Sequence, residues 1–357
     1  MKKPDFLLLG VVTFLTLFGL LMVYDASSIR AFVDFDGDKY HFLRDQATWV
    51  VLGFIILLLT SKLDYHKYYY LALPILLLAL LTLILVFLPG IGVGAKGAHR
   101  WIDLHFVTLQ PAEFVKLSLA IYLAAWFSKK EKERFLAFSL LLGAVLFLVI
   151  LEPDMGTASI ILAEAGIIYF LSGGSLKHFL VSIPIIGLLW LLLIKIEPYR
   201  ASRLTSFLNI GNSFEAVDYH VKQILISLGS GGIFGLGIGN SKQKYGYLPE
   251  SMTDTIFPII AEEIGFIGAN VVILLFIIIV WRGFYIALKA KDSFGRLLAA
   301  GITSFLGIQA IINLGAMTVL FPLTGVPLPF ISYGGSALII DMASIGILLN
   351  ISKQINK

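Results

Sequence analysis

The residues best suited to chemistry lie in a polar segment between hydrophobic runs, Tyr245-Gly-Tyr-Leu-Pro-Glu-Ser-Met-Thr-Asp-Thr-Ile-Phe257. The segment ends on a carboxylate, Asp254, where a membrane helix is predicted to begin. An acid at a helix start is ordinary capping chemistry. This one follows a Gly-rich basic loop in a chain that is mostly apolar, which makes it a candidate reactive acid at a water–lipid boundary. Glu113 and Lys116 form a second constellation, three residues apart at the start of another apolar run and therefore on one helix face. An ionised group inside a bilayer costs at least about 2.5–3.5 kcal/mol on insertion scales and usually faces a cavity or a partner. Mutual pairing offsets part of that cost. Such a pair either fixes helix packing or floors a polar cavity in which Lys116 supplies a cation.

Further ionisable residues fall inside apolar runs: Glu164, Glu262, Glu263 and Asp341. On a continuous helix Glu262 would lie on the face of Asp254 and about 12 Å deeper. That spacing allows a proton ladder, and it equally allows a hydrogen-bond network to other helices, the simpler reading. Arg100 (beside Trp101), Arg200, Arg203, Lys242 and Lys244 cluster near the predicted outer boundary. Scattered, they would be interfacial anchors. Converging on one acid, they would form a site for an anionic headgroup such as a diphosphate, which a planar guanidinium grips with two parallel bonds.

Gly229–Gly239 holds six glycines in eleven residues but matches neither dinucleotide nor P-loop spacing. It is either a flexible loop or a backbone cradle for phosphate. The loop 321–335 is rich in Pro and Gly; its Ser332 and Tyr333 can hydrogen-bond a sugar or phosphate, or cap a helix. His99, Asp103 and His105 match no standard metal spacing. Neither H-E-x-x-H nor G-x-S-x-G occurs.

The elements that must position these groups are membrane helices. Hydrophobic residues make up 58% of the 357, and charged residues only 14% where soluble domains carry about 25%. Cysteine is absent, so disulfides and thiolate metal sites are excluded. The net charge of +4 leaves no nucleic-acid footprint. A span needs about 20 apolar residues. Ten are predicted, near 5–24, 46–61, 69–88, 111–127, 135–151, 156–172, 175–195, 254–281, 297–320 and 336–352. The fold class is thus all-α: a single polytopic membrane domain over 1–357, with a long extracytoplasmic loop at about 196–253 between the seventh and eighth helices. The first run is longer than a signal-peptide core and lacks an A-x-A cleavage site, so it reads as an anchor. Lys129, Lys130, Lys132 and Arg134 crowd one seven-residue loop, which places that loop and both termini in the cytoplasm. Asp254 then faces outward. The stretch Tyr219–Leu228 is apolar enough to lie in the interface or re-enter the membrane.

Over nearly its whole length the chain resembles the SEDS family, the polytopic glycosyltransferases of bacterial shape, elongation, division and sporulation. The resemblance rests on Arg100-Trp101, Gln110-Pro-Ala-Glu113 with Lys116, Glu152-Pro-Asp-Met-Gly-Thr157, Gly229-Ser-Gly-Gly232, Gln243-Lys244, Leu248-Pro-Glu250 with Thr253-Asp254, Ala261-Glu-Glu-Ile-Gly-Phe266, and Gly325-Val-Pro-Leu-Pro-Phe-Ile-Ser-Tyr-Gly-Gly335. It implies ten membrane helices, polymerisation of lipid II, an essential Asp254 and a functional Glu113–Lys116 pair. Glu250, Ser332 and Tyr333 join Arg100, Glu113, Lys116, Arg203 and Lys244 as substrate-binding candidates. The chain departs from the family pattern at Thr255 (commonly Phe), Ala112 (usually Ser), Glu152 (usually Gln) and Ile210-Gly211 (often Pro after the Leu-Asn pair).

The implied chemistry fits the residues. A hydroxyl of an acceptor sugar attacks the anomeric carbon of a donor whose polyprenyl diphosphate departs. That needs a base near the hydroxyl and positive charge near the diphosphate. Asp254 can be the base; Lys116, Arg100, Arg203 and Lys244 are candidates for the charge. A divalent cation such as Mg²⁺ could share that role, with Asp254 then its ligand instead of the base. An α-linked donor and a β-linked polymer imply a single inverting displacement. The implied partners are lipid II, the nascent glycan strand, membrane lipids and a class B penicillin-binding protein. The stretch Gly237–Glu250 is closer to FtsW and SpoVE types than to RodA types, which favours division. The rival function is a lipid II flippase or transporter. Buried acids and glycines suit it too, but the sequence shows no inverted repeat.

Overall fold

In the computed structural model, residues 3–95, 98–103, 108–129, 134–209 and 217–355 are described. His105, Lys130, Lys132 and Ile210-Gly211 lie outside them, as does the side chain of His99. Among the described residues twelve α-helices run in the order α1 (Phe6–Asp34), α2 (His41–Lys62), α3 (His66–Leu85), α4 (Pro111–Phe127), α5 (Phe135–Leu151), α6 (Met155–Leu171), α7 (Leu176–Ile196), α8 (Pro198–Asn209), α9 (Tyr219–Gly231), α10 (Ile256–Lys289), α11 (Ser293–Met317) and α12 (Gly335–Ile355). Ten of them coincide with the predicted runs. Seven are long and apolar enough to cross a membrane: α1, α2, α3, α7, α10, α11 and α12. The other three predicted runs, α4, α5 and α6, are 17-residue helices, about 26 Å long at 1.5 Å per residue.

Polar residues mark the helix ends. Asp5 caps α1 through the Leu8 N–H at 3.0 Å. Asp154 caps α6 through the Thr157 N–H at 3.0 Å, and Asp292 caps α11 through the Gly295 N–H at 2.9 Å. Pro111 opens α4, where a missing N–H costs nothing. The helix α1 runs ten residues past its predicted end at 24. The polar Asp25 ends the apolar run, but Ala26, Ser27 and Ala31 are buried and Asp25 has a cationic partner in Lys244.

The core is built around α11 and α12, whose apolar windows are 78% buried inside the protein. They pack with α2, α4, α6 and α10. By contrast α7 has no buried residue; it packs against α8 and, through His178 and Phe179, against the end of α6.

The all-α expectation needs one correction. A three-stranded antiparallel sheet, β1 (Gly92–Ala95), β2 (Ala98–Asp103) and β3 (Thr108–Leu109), follows α3. Its register pairs Val93 with Trp101 and Ile102 with Leu109. Strands of four, six and two residues are too short for a period-two pattern to show against a glycine-rich background.

Two sets of polar tethers close the two ends of the bundle. One end joins Asp5 to Arg282 and Ser352, and Tyr65 to Asn350. The other gathers the β-sheet, the α5–α6 turn, the segment before α10 and the loop before α12. The chemistry predicted from sequence is at this second end.

Candidate active site

The architecture of the site begins with a defect in α10. Gly265 has φ +70° and ψ −175°, so the helix is broken there. A break in a membrane helix orphans backbone groups that hydrocarbon cannot satisfy. Here the glycine-rich loop supplies the partners. The Phe266 and Ile267 N–H groups donate to Gly232 O (2.9 Å) and Ile233 O (3.2 Å). The Leu236 and Gly237 N–H groups donate to Glu262 O (3.0 Å) and Glu263 O (2.9 Å). These bonds stand in for the helical rungs lost at the break. The approach requires glycine: a Cβ on Gly235 would lie 2.1 Å from Glu263 O, and one on Gly265 would lie 2.3 Å from Gly235 N. The phosphate-cradle reading of this loop is therefore corrected, because the N–H groups of Leu236 and Gly237 face the carbonyls of α10.

The acids beyond the loop are held in the same patch. The Glu262 carboxylate accepts from Ser230 Oγ (3.2 Å), Ser241 Oγ and the Lys242 N–H (3.3 Å). Glu263 accepts from the Ser241 N–H at 3.1 Å and from Lys244 Nζ at 3.0 Å. Lys244 also pairs with Asp25 on α1 at 2.8 Å. The helical geometry does not carry the proton-ladder reading of Glu262. The helix starts at Ile256, so Asp254 lies in a turn outside the helical repeat.

Asp254 is half-buried at the mouth of the second end. Thr253 Oγ1 stands between two carboxylates, 3.3 Å from Asp254 Oδ1 and 3.2 Å from Glu250 Oε2. Burial first, then the Glu250 charge, push the Asp254 carboxyl up from 3.8 to about 6, against the opposing pull of Arg203. Arg203, on α8, donates to Leu323 O at 2.8 Å. The loop 321–335 runs close by, with a Cβ on the exposed Gly325 (φ +78°) only 3.8 Å from Asp254 Oδ2.

That loop is fixed from several sides. Asn313 Nδ2 donates both to the Asp254 carbonyl (2.8 Å) and to Val326 O (2.7 Å). Gln309 Nε2 donates to Pro327 O at 3.0 Å. Gly156 abuts Val326 and Thr324. Ser332 Oγ accepts from the Leu328 N–H at 2.8 Å, so this hydroxyl closes the loop on itself. The Tyr333 N–H donates to Met252 O at 2.9 Å and its hydroxyl to Asp45.

Glu113 and Lys116 pair at 2.7 Å, both buried, and Lys116 also donates to Gln309 Oε1. Arg100 on β2 donates to Glu152 O (2.8 Å) and Pro153 O (2.7 Å), anchoring the sheet to the α5–α6 turn. Beside it, burial and Asp154 push the buried Glu152 up to about 8, with Arg100 opposing. Among the named cations, then, Arg203 is electrostatically coupled to Asp254. Arg100 is joined to the α5–α6 turn, and Lys244 to the α1–α10 patch. Sequence reading missed Gln309, Asn313 and Asp25. Each is a polar residue in an apolar helix, the one signal that could have singled them out. Among the described residues no group of three or more His, Cys, Asp or Glu could hold a metal ion.

The profile of the cell cycle protein family FtsW/RodA/SpoVE matches residues 5–357. Stage V sporulation protein E of Bacillus subtilis is 38% identical over 98% of this chain and 97% of its own length. A probable peptidoglycan glycosyltransferase FtsW from Trichlorobacter lovleyi is 40% identical over 99% of this chain and 95% of its own. Among solved structures, one described as showing the structural coordination of polymerization and crosslinking by a peptidoglycan synthase complex superposes with TM-score 0.81. Its identity is 26%, over 99% of both chains. The rod shape determining protein RodA of Thermus thermophilus, crystallised as an aspartate-to-alanine variant, superposes with TM-score 0.73 at 26% identity over 99% of both chains.

Proposed function

Because the chain belongs to the FtsW/RodA/SpoVE family of cell cycle proteins, we propose that it is a peptidoglycan glycosyltransferase that polymerises lipid II on the outer face of the cytoplasmic membrane. The observation that carries the reading is Asp254, a carboxyl pushed up to about 6 beside Arg203 at the mouth of the second end. A base working near neutral pH needs a value close to that pH. In the proposed reaction Asp254 takes the proton of an acceptor-sugar hydroxyl as its oxygen bonds to the donor's anomeric carbon. The bond from that carbon to the lipid diphosphate breaks on the opposite side, giving inversion. Arg203 supplies charge to the departing diphosphate. Lys116 holds the floor of the site, while Lys244 and Arg100 hold its walls.

The two carboxylates of Asp254 and Glu250, with the Thr253 hydroxyl between them, are hard oxygen donors of the kind a hydrated divalent cation accepts. Such an ion, Mg²⁺ for instance, would be held by Asp254 and Glu250, with Asp254 then a ligand instead of the base, and would add positive charge opposite the diphosphate.

We assign ten spans: the seven long helices plus α4, α5 and α6, whose ends reach the polar segments on both sides. The basic residues Lys129 and Arg134 support a cytoplasmic side for the α4–α5 turn, and with it for both termini. The partner is a crosslinking penicillin-binding protein of class B, in keeping with the synthase complex to which this fold is similar. The 38–40% identities to SpoVE and FtsW proteins favour a division or sporulation role. The deciding experiment gives purified protein purified lipid II. Polymer from wild type and none from Asp254→Ala supports the reading. Lipid scrambling in vesicles without polymer would replace it with the transporter.

A further inference from the structure

We infer that Gln309 and Asn313 are positioning residues that tie the buried Glu113–Lys116 pair to the loop facing Asp254. The inference rests on the reading of Asp254 as the reactive acid. Gln309 and Asn313 are four apart on α11, on one face of the helix, and both are buried. Both direct amide donors at the backbone of the outer loop. Gln309 reaches Pro327 O at 3.0 Å, and Asn313 reaches Val326 O at 2.7 Å together with the Asp254 carbonyl at 2.8 Å.

Among the described residues, the Val326 and Pro327 carbonyls have no backbone donor within the loop. Pro327 and Pro329 lack N–H groups, so the segment has no regular ladder to join. A buried carbonyl without a donor is costly, and the α11 amides are the donors provided.

Lys116 and the Pro327 carbonyl together fix which way the Gln309 amide faces. An ammonium can only donate, so the atom of Gln309 that meets it must be the oxygen. The amide NH₂ is then turned toward Pro327 O. Without the ammonium the amide oxygen loses its donor, and Gln309 is held only by its bond to Pro327 O. The buried charge is thus relayed along a chain of residues, from Glu113 to Lys116, to Gln309, to Pro327. The adjoining Val326 carbonyl and Asp254 carbonyl are then clamped by one Asn313 NH₂. This places a membrane-embedded ion pair in control of the height at which Gly325 passes the Asp254 carboxylate.

The chain has no cysteine, so a single Thr324→Cys reports the loop. Gln309→Glu keeps an oxygen for Lys116 and removes the donor to Pro327 O; Lys116→Met removes the orienting charge; Asn313→Ser removes the clamp. Each, made in the Thr324→Cys background, should raise the rate of maleimide labelling at the introduced thiol about tenfold, the effect of one lost buried hydrogen bond. Thr303→Ala on the same helix, whose hydroxyl bonds to Ala299 O, should leave it unchanged. In polymerisation assays kcat should fall at least tenfold with KM little altered. Labelling at the wild-type rate in folded Gln309→Glu and Asn313→Ser proteins overturns the inference. Faster labelling in a protein whose wild type makes no polymer upholds the relay and removes the proposed reaction instead.

Discussion

Replacing Asp254 by Asn should make the protein more stable and inactive, and the two effects share one cause. The carboxyl is pushed up from 3.8 to about 6, chiefly by burial and by the Glu250 charge. A displacement of that size is worth about 3 kcal/mol between charged and neutral forms at 1.36 kcal/mol per pH unit. Partial exposure of the residue discounts this to roughly 1–2 kcal/mol. The direction follows from proton binding. The folded state holds this proton more tightly than the unfolded chain, so the stability it confers is complete below 3.8 and is lost as pH rises through 6. Asn carries no such penalty. Its advantage over Asp should be small at pH 4 and reach its full size by pH 7, a rise in melting temperature of roughly 2–4 °C. Polymerisation by wild type should fall about tenfold per pH unit below 6 and level off above it, while the Asn variant has no base to titrate. The assay is a pair of melting curves in detergent across pH 4–8, beside initial rates on lipid II. A melting difference that does not change with pH would mean that Asp254 is not a strained carboxylate. A rate for the Asn variant within tenfold of wild type would remove this position from the reaction.

Other expectations follow from the neighbouring contacts. Gly235→Ala places a Cβ against Glu263 O at a residue with φ +82°, and should cost roughly 2–4 kcal/mol from the strained backbone and lost bonds. Thermal melting and membrane yield would report it, and an unchanged melting temperature would deny the patch its role. Glu152→Gln should stabilise the protein above pH 8 and do little below 4.5, since the raised carboxyl loses its stabilising proton as pH climbs through 8. A flat difference across that window contradicts the assignment. Lys116→Met alone should cost roughly 3–5 kcal/mol by stranding Glu113. Glu113→Gln/Lys116→Met should recover most of that in melting experiments yet remain slow, because Gln309 loses one of the two partners that orient it. Full activity in the double variant would reduce the pair to packing.

What could be read from the residues was what depends on local periodicity and burial. Long apolar runs located ten helices, most ends to within a turn or two, and the i,i+3 spacing of Glu113 and Lys116 produced a pair that is formed at 2.7 Å. What could not be read depends on pairs far apart in the chain. Lys244 meets Asp25 across 219 residues, and Asn313 meets Asp254 across 59. Hydropathy ranks such residues only as blemishes in an apolar run. The glycine loop was visible as composition, but its purpose lay in a break at Gly265, a residue with nothing in its neighbourhood to mark it as a break. Whether the basic residues scatter as anchors or converge on one acid was open in the sequence. Arg100, Arg203 and Lys244 divide among three supports, each bonded to acceptors on elements distant in the chain.

The break in α10 also bears on how this protein enters the bilayer. An uninterrupted helix can partition into lipid with its backbone already satisfied. The α10 segment cannot, since two carbonyls and two N–H groups around Gly265 have partners on residues 232–237 rather than within the helix. Exposed to hydrocarbon, each of those groups would cost several kcal/mol. Chain order resolves the difficulty: the glycine segment is synthesised before the break, so it is at hand when the defect arrives. Burial of α10 in the bilayer is therefore tied to docking of the 232–237 loop against its break. A side chain added to those glycines would act first on delivery, leaving cells with too few copies in the membrane before the catalytic rate of any copy came into question.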